Sequence, residues 1–172
     1  MKFYNAKMLL LGDGAVGKTS LVKQYIKGEY KGDYKPTIGV DVYTKEIRFS
    51  YQGEEVALNL GVWDIAGQKQ FEMFRKNFFK GAKAALIVFD YSRPETFSSV
   101  ETWIKDLLEL SGQVPFILIG NKIDLPRQVD YDLAQALATN YNVKFIETSA
   151  KDNVNVEQAF LDIATALMQY AV

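Results

Sequence analysis

GDGAVGKT, residues 12–19, decides the fold of this chain, because it joins the apolar run at residues 8–11 to a helical pattern. Its spacing is that of a phosphate-binding loop, which lies between a strand and a helix. Glycine permits a tight turn with inward-pointing N–H groups, and the helix that follows adds its positive N-terminal end. Lys18 supplies a mobile charge, and the Thr19 hydroxyl can hold Mg²⁺. The residues predicted to bind nucleotide phosphates are Gly12, Asp13, Gly14, Ala15, Val16, Gly17, Lys18, Thr19 and Ser20.

The loop by itself leaves several chemistries open. It does not distinguish ATP from GTP, or a hydrolase from a kinase. A glycine-rich turn with an incidental lysine is the alternative without function. The remaining strand ends therefore have to decide between these interpretations.

Composition narrows the class of protein. The chain has 172 residues and a net charge of −1, and we expect one domain over residues 1–172. The sequence has no run of Lys and Arg of the kind that would indicate a nucleic acid partner, and no apolar run approaches the roughly 18 residues of a membrane span. We therefore expect a cytoplasmic protein without a membrane segment. Cysteine and histidine are both absent, so chemistry must use carboxylates, amides, hydroxyls, backbone groups and Mg²⁺.

The order of elements predicts an α/β fold of the P-loop NTPase type. Short apolar runs alternate with helical periodicity, which is typical of a three-layer α/β/α sandwich with a mostly parallel sheet. We predict six strands and about five helices. Alternating residues at 41–51 and a return at 54–64 predict a hairpin that adds one antiparallel edge strand. The remaining predicted strands cover residues 6–12, 84–89, 116–119 and 143–147, and predicted helices cover residues 17–27, from about 94, about 130–141 and from about 156.

Polar side chains at two further places suit the phosphate end of such a site. Asp64 closes an apolar strand and could hold Mg²⁺ directly or through water. Gly67 allows the backbone to approach a terminal phosphate, and the Gln68 amide can orient a water. Thr37, in the polar segment 28–39, could supply a second hydroxyl to Mg²⁺. A loop held only by that phosphate and its metal should loosen when the phosphate leaves.

The last two strands end in residues that suit a guanine base. Asn121, Lys122 and Asp124 follow one strand, and a carboxylate there can accept hydrogen bonds from guanine N1–H and its exocyclic amine. Adenine lacks that donor pair, so the site would reject it. Residues 147–151, with Ser149, Ala150 and Lys151, could complete the base pocket. Each motif alone has an ordinary structural explanation as a turn, cap or helix approach, but their joint order at successive strand ends is not accidental.

Taken together, GDGAVGKT, YKPTIG, WDIAGQ, NKID and ETSAK resemble the signature segments of the Ras superfamily of small GTPases over essentially the whole chain. The resemblance implies a switch that binds GTP and GDP with Mg²⁺, in membrane trafficking or related signalling. Lys18 would bind the β- and γ-phosphates, Thr19 and Thr37 would ligate Mg²⁺, and Asp64 would hold it through a water. Gly67 would donate its N–H to the γ-phosphate, Gln68 would position the attacking water, Tyr34 would close over the phosphates and Tyr30 would pack against guanine. The catalytic set implied is Gln68, Lys18, Thr37 and Gly67, and the base site is Asn121, Lys122, Asp124, Ser149, Ala150 and Lys151.

The subfamily features are mixed, with Rab favoured. YKPTIGVDV resembles the Rab switch segment, although Val42 replaces the usual phenylalanine and Lys69-Gln70-Phe71 replaces Glu-Arg-Phe. The phosphate loop and LNLGVWD resemble Rho proteins, but the Rho-type insert is absent. The mosaic fits a divergent lineage, microbial or archaeal. We expect membrane association only if a lipidated C-terminal tail is missing from this sequence.

The GTPase template predicts slow turnover, on the order of 10⁻⁴ to 10⁻³ s⁻¹, accelerated by a partner's arginine. No arginine carries a sequence signal for acting in cis, and Arg75 merely follows the Gln68 loop. We expect GTP to order residues 32–40 and 66–79, and effectors to bind through residues 32–42 and 63–79. We also expect an exchange factor and a GTPase-activating protein as partners. Trp63 and Phe78 form a hypothetical effector patch, or belong to the core. The remaining alternatives are a GTP-binding scaffold with negligible hydrolysis and another P-loop phosphotransferase.

Overall fold

The architecture is described from a computed structural model, which covers residues 1–32 and 34–171, the last of these as backbone only. The six strands of its single sheet are β1 (Lys2–Leu11), β2 (Val40–Tyr51), β3 (Glu54–Ile65), β4 (Ala84–Asp90), β5 (Phe116–Asn121) and β6 (Phe145–Glu147). Their spatial order is β2-β3-β1-β4-β5-β6. All neighbours pair in parallel except β2 and β3, which form the antiparallel edge. The predicted sheet is confirmed.

Helices connect the strands on both faces. They are α1 (Lys18–Lys27), α2 (Glu72–Arg75), α3 (Pro94–Ser98), α4 (Val100–Ser111), α5 (Tyr131–Asn140) and α6 (Val156–Ala171). α1 ends at Gly28, whose φ of 64° is accessible to glycine without strain. α5 begins at Asp130, whose carboxylate accepts a hydrogen bond from the Asp132 N–H at 2.9 Å. Within the described residues, no helix is long and apolar enough to cross a membrane.

Two apolar layers hold the sheet between the helices. Successive residues of a strand point to opposite faces, so Met8 and Leu10 of β1 enter one layer while Leu9 and Leu11 enter the other. The first layer packs against α1 and α6, where the Tyr25 and Phe160 rings stack with centroids 4.1 Å apart. The second packs against α4 and α5. Every residue of β4 is buried, as expected for a central parallel strand covered on both faces.

Three elements differ from the sequence prediction in ways that have a structural reason, while several other boundaries shift by one or two residues. β1 begins at Lys2 rather than residue 6, because its mixed polar start pairs along β3 from Lys2 opposite Val56. β6 is shorter than residues 143–147, since only its last part pairs with β5. The helix near Pro94 is interrupted at Ser99, where the Ser99 hydroxyl donates to the Glu95 carbonyl at 3.2 Å. Such bonds compete with the helical ladder and bend helices. With α3 and α4 taken as one interrupted helix, the sandwich has five helices.

Candidate nucleotide-binding site

The loop between β1 and α1 has the backbone of an anion cradle. Gly12 and Gly17 have φ of 145° and 100°, and Ala15 has φ of 64°. Positive φ at these three positions curls the chain so that successive N–H groups converge. A side chain at Gly12 or Gly17 would also collide, with the Val88 carbonyl or the Asn121 amide. Among the described side chains, none caps the N-terminus of α1. Its first N–H groups therefore remain available to an anion.

Side chains hold the carbonyl groups of the same loop in place. Lys18 reaches back over the loop, Arg93 approaches from the start of α3, and Asn121 and Lys122 approach from the end of β5. The hydrogen bonds are Lys18 Nζ to Gly12 O (2.8 Å) and Asp13 O (3.0 Å), Arg93 Nη1 to Gly14 O (3.2 Å), Lys122 Nζ to Ala15 O (2.8 Å) and Asn121 Nδ2 to Val16 O (2.9 Å). Because these hydrogen bonds fix the backbone of the loop, its N–H groups are pre-organised for an anion.

Lys18 gives the cradle its charge. Its ammonium is buried, and burial lowers the pKa of Lys18 to about 8, although the Asp64 and Asp13 carboxylates raise it. Its hydrogen-bond acceptors are two neutral carbonyls. A buried ammonium with neutral partners is stabilised by an added anion. The lysine is therefore suited to phosphate.

A cluster of hard oxygen atoms lies beside Lys18. The Thr19 and Thr37 hydroxyl oxygens are 3.1 Å apart, and both contact Asp64 Oδ2, Thr37 at 3.5 Å. Asp64 Oδ1 is buried without a hydrogen-bond partner among the described residues. Burial raises the pKa of this carboxyl, while Lys18 lowers it. Two hydroxyls and an under-satisfied carboxylate fit Mg²⁺. The described part of the chain offers no cluster of three or more acidic ligands, so an ion held here would also need phosphate and water oxygens.

The segment after β3 lies directly against the phosphate loop. A Cβ added to Gly67 would come within 2.6 Å of the Asp13 carbonyl carbon and 2.8 Å of the Gly14 nitrogen. Gln68 packs against Gly14 and donates from Nε2 to the Tyr34 hydroxyl at 3.0 Å. Gln68 Oε1 is buried with no protein partner in the described ranges. That free amide oxygen can accept a hydrogen bond from water.

Asp124 is fixed at the opposite end of the same pocket. Ser149 Oγ donates to Asp124 Oδ1 at 2.7 Å, and the Ser149 hydroxyl itself accepts from the Asp152 N–H at 2.9 Å. Asn121 Oδ1 accepts from Thr148 Oγ1 at 2.9 Å and from the Ala150 N–H at 3.3 Å. These bonds tie the loop after β5 to the loop after β6. Ser149 contacts only Oδ1 of Asp124, and Asp124 is among the residues that line the pocket.

One cavity connects the two ends. Its lining combines residues of the phosphate loop with Tyr30, Tyr34, Thr37, Gly67, Gln68, Asn121, Lys122, Asp124, Ala150 and Lys151. Ser149 and Asp64 are buried behind that lining. Tyr30 and Tyr34 are exposed at the mouth. Asp33, inside the predicted segments 32–40 and 32–42, lies outside the described residues.

Several residues of the site were missed by sequence reasoning. Buried Asp90 pairs with Lys122 at 3.0 Å and lies 4.0 Å from Arg93. It ends the apolar run of β4 as Asp64 ends that of β3, and this signal could have identified it. Trp103 donates from Nε1 to Asp13 Oδ1 at 2.9 Å, and Arg75 donates to the Gln68 carbonyl at 3.2 Å. Neither contact has a sequence signal, because Trp103 and Asp13 lie 90 residues apart and the Arg75 contact is made to a backbone carbonyl, which no residue type marks.

Trp63 and Phe78 are neighbours, as the hypothetical effector patch requires. Their ring centroids lie 6.1 Å apart, both side chains are partly buried, and the Lys7 ammonium is 3.7 Å from the Trp63 ring centroid. Both also pack against the second apolar layer. The predicted effector segments also carry exposed apolar side chains, namely Ile38, Val42, Met73 and Phe74. The patch stays a prediction.

The glycine-rich loop, the oxygen cluster and the fixed base-end carboxylate define a P-loop nucleotide-binding protein. A model of the Ras family matches residues 7–169. Ras-related protein RABG3a of Arabidopsis thaliana is 41% identical over 172 residues, covering 94% of this chain and 82% of that protein. Ras-related protein Rab-7a of Paramecium octaurelia is 37% identical (93% and 80% covered), and Ras-related protein Rab7 of Pisum sativum is 38% identical (92% and 80%). The chain belongs to the Ras family and is a Rab-like small GTPase.

Proposed function

We propose that this protein is a guanine-nucleotide switch that binds GTP or GDP with Mg²⁺, hydrolyses GTP slowly and acts in membrane trafficking. The observation that carries the proposal is the single cavity with Lys18 and Thr37 at one end and Asp124 at the other. A carboxylate held by Ser149 suits the two N–H donors of guanine, and the loop opposite suits its phosphates. The Rab7 names of the relatives support the trafficking role.

The phosphate end would work by positioning and charge. The loop N–H groups and Lys18 would hold the β- and γ-phosphates, and Gly67 would donate its N–H to the γ-phosphate. Thr19, Thr37 and Asp64 would hold Mg²⁺, which, when bound, neutralises charge on the phosphates. Tyr34 would close over the phosphates and Tyr30 would pack on the base. At the other end, Asn121, Lys122, Asp124, Ser149, Ala150 and Lys151 would form the base pocket.

Hydrolysis is assigned to a water oriented by Gln68. The Gln68 side chain lies against Gly14, and its Oε1, which has no protein partner among the described residues, can accept a hydrogen bond from a water at the phosphate end of the cavity. Turnover without a partner should be on the order of 10⁻⁴ to 10⁻³ s⁻¹. Loss of the γ-phosphate removes partners of Thr37 and Gly67, which would release residues 32–40 and 66–79. Effectors would then distinguish the two states through residues 32–42 and 63–79.

Gln68→Leu tests the catalytic assignment. The variant has a side chain of similar size without an amide, so hydrolysis should fall by about 100-fold, the lower end of the range for a positioned group that acts on proton transfer. The measurement is single-turnover phosphate release from protein preloaded with GTP, with GDP dissociation as the control for intact binding. Wild-type hydrolysis in the variant would contradict the role of Gln68. Negligible hydrolysis in the wild type would favour a GTP-binding scaffold instead.

Removal of Mg²⁺ should accelerate nucleotide release. Because the protein supplies two hydroxyls and one carboxylate, the ion would be held jointly by protein and phosphates. Chelation with EDTA should raise the GDP dissociation rate by about 10-fold or more, equivalent to roughly 1.4 kcal/mol. Loss of fluorescent GDP can be followed with and without excess Mg²⁺. An identical rate in both conditions would contradict a shared metal site.

The nucleotide that co-purifies with the protein tests the base assignment directly. Guanine nucleotide supports the switch, whereas adenine nucleotide would favour another P-loop phosphotransferase. We further propose that residues 1–172 form one G domain, and that an exchange factor and a GTPase-activating protein act on it.

A further inference from the structure

Trp103 is a buried side chain that lies between the phosphate loop and the segment that carries Gln68. It lies on α4, is 3% exposed, and donates from Nε1 to Asp13 Oδ1 at 2.9 Å. Asp13 is the second residue of the phosphate loop. The edge of the indole is therefore attached to the loop that would bind phosphate, while its face is free to contact another element.

That face is covered by Arg75. The guanidinium carbon lies 4.3 Å from the Trp103 ring centroid, and Arg75 Nη1 donates to the Gln68 carbonyl at 3.2 Å. Asp13, Trp103, Arg75 and Gln68 thus form an unbroken series of contacts. A guanidinium is planar and can stack on a ring while donating in its own plane. Lysine cannot do both.

Arg75 is an unusual side chain to bury. It is 7% exposed, and no ion pair of the described residues includes it. Burial lowers the pKa of its guanidinium. The Glu72, Asp106 and Asp13 carboxylates act in the opposite direction and raise that pKa by a smaller amount. Its neighbours Met73 and Phe74 are 85% and 62% exposed. Arg75 is therefore an inward anchor of a segment that otherwise projects into solvent.

We propose that Arg75 is a positioning residue for GTP hydrolysis, holding the Gln68 backbone at a fixed distance from the phosphate loop through Trp103. This rests on the catalytic role proposed for Gln68. A reacting group misplaced by about 1 Å can lose about 100-fold in rate, so an anchor seven residues along the chain can control hydrolysis without touching the nucleotide. The anchor acts on the backbone of Gln68, whereas Tyr34 contacts its side chain.

Arg75→Met tests the proposal, because methionine keeps an apolar stem but loses the stack and the donor. Single-turnover hydrolysis should fall by about 10-fold, within the range expected for small displacements. GDP dissociation should stay within about twofold of the wild type, since Arg75 lies outside the cavity lining. Arg48→Met is the matched control, because Arg48 is exposed on β2 and pairs with Glu46. It should hydrolyse GTP at the wild-type rate.

Two milder variants keep the test valid if methionine impairs folding. Arg75→Lys retains the charge but not the planar stack, and Trp103→Phe retains a ring but not the N–H that contacts Asp13. Both should reduce hydrolysis, by less than Arg75→Met, with thermal unfolding near that of the wild type. Wild-type hydrolysis in both folded variants would overturn the proposal.

A double-mutant cycle separates positioning through Gln68 from a general structural effect. Arg75→Met added to Gln68→Leu should cause no further loss, because the group being positioned is already absent. An equal fold-loss in both backgrounds would overturn the proposal. If Gln68→Leu loses hydrolysis while Arg75→Met hydrolyses GTP at the wild-type rate, the positioning role of Arg75 is overturned and the catalytic role of Gln68 stands. A wild-type rate in Gln68→Leu contradicts the proposed catalytic role itself, and the positioning role with it.

Discussion

Asp124→Asn should change the preferred base from guanine to xanthine and lower the affinity for GTP by about 10⁴-fold. The carboxylate is fixed by Ser149 at 2.7 Å and would accept from guanine N1–H and the exocyclic amine. An asparagine amide offers one acceptor and one donor, which mismatches the amine but matches the N1–H and the 2-carbonyl of xanthine. Direct titration of both proteins with GTP, XTP and ATP that carry a fluorescent group on the ribose measures the change.

The direction of the change is what makes this test specific. A variant that merely loosens the pocket would lose all three nucleotides together, whereas a changed base contact improves XTP while GTP weakens. Ser149 can still donate to the asparagine oxygen, so the local fold should persist. Undiminished GTP binding by the variant would remove Asp124 from the base site.

Gly67→Ala should lower GTP hydrolysis by about 10²- to 10³-fold, the scale for loss of one pre-organised backbone donor at a developing charge. An added Cβ would lie 2.6 Å from the Asp13 carbonyl carbon and 2.8 Å from the Gly14 nitrogen. Both are backbone atoms of the phosphate loop and cannot rotate away. The segment after β3 must therefore retreat, which takes the residue-67 N–H and Gln68 with it. Single-turnover hydrolysis measures the loss.

Gly61→Ala is the matched control for this steric argument. Gly61 is on β3, six residues before Gly67, and the nearest atoms to an added Cβ are 3.7 Å away, which is ordinary contact. It should hydrolyse GTP at the wild-type rate. GDP affinity should be nearly unchanged in both variants, because the phosphate-loop N–H groups and Asp124 remain. Similar hydrolysis in the two variants would contradict close approach by Gly67.

Sequence reasoning succeeded where the signal is local. The apolar run of β4 and the alternation of β2 follow from which faces of the sheet are covered, so strand type and the antiparallel edge were predictable. The ends of the elements were harder to predict. The first residues of β1, for example, are held by pairing with β3 rather than by burial of an apolar face. Ser99 interrupts its helix through a side-chain bond to Glu95 that periodicity does not register.

The sequence by itself determined the glycine-rich loop and the predicted roles of Thr19, Thr37, Asp64 and Asp124, because each prediction needs only a particular side chain or glycine at a fixed place in a short motif. The tertiary structure alone decided which groups hold them. Asp90 reaches Lys122, and Trp103 reaches Asp13, across separations of 32 and 90 residues. Such contacts depend on how β5 pairs with β4 and on where α4 lies relative to the loop after β1, and packing of distant elements leaves no pattern in any one segment. The burial of Arg75 against Trp103 was decided in the same way.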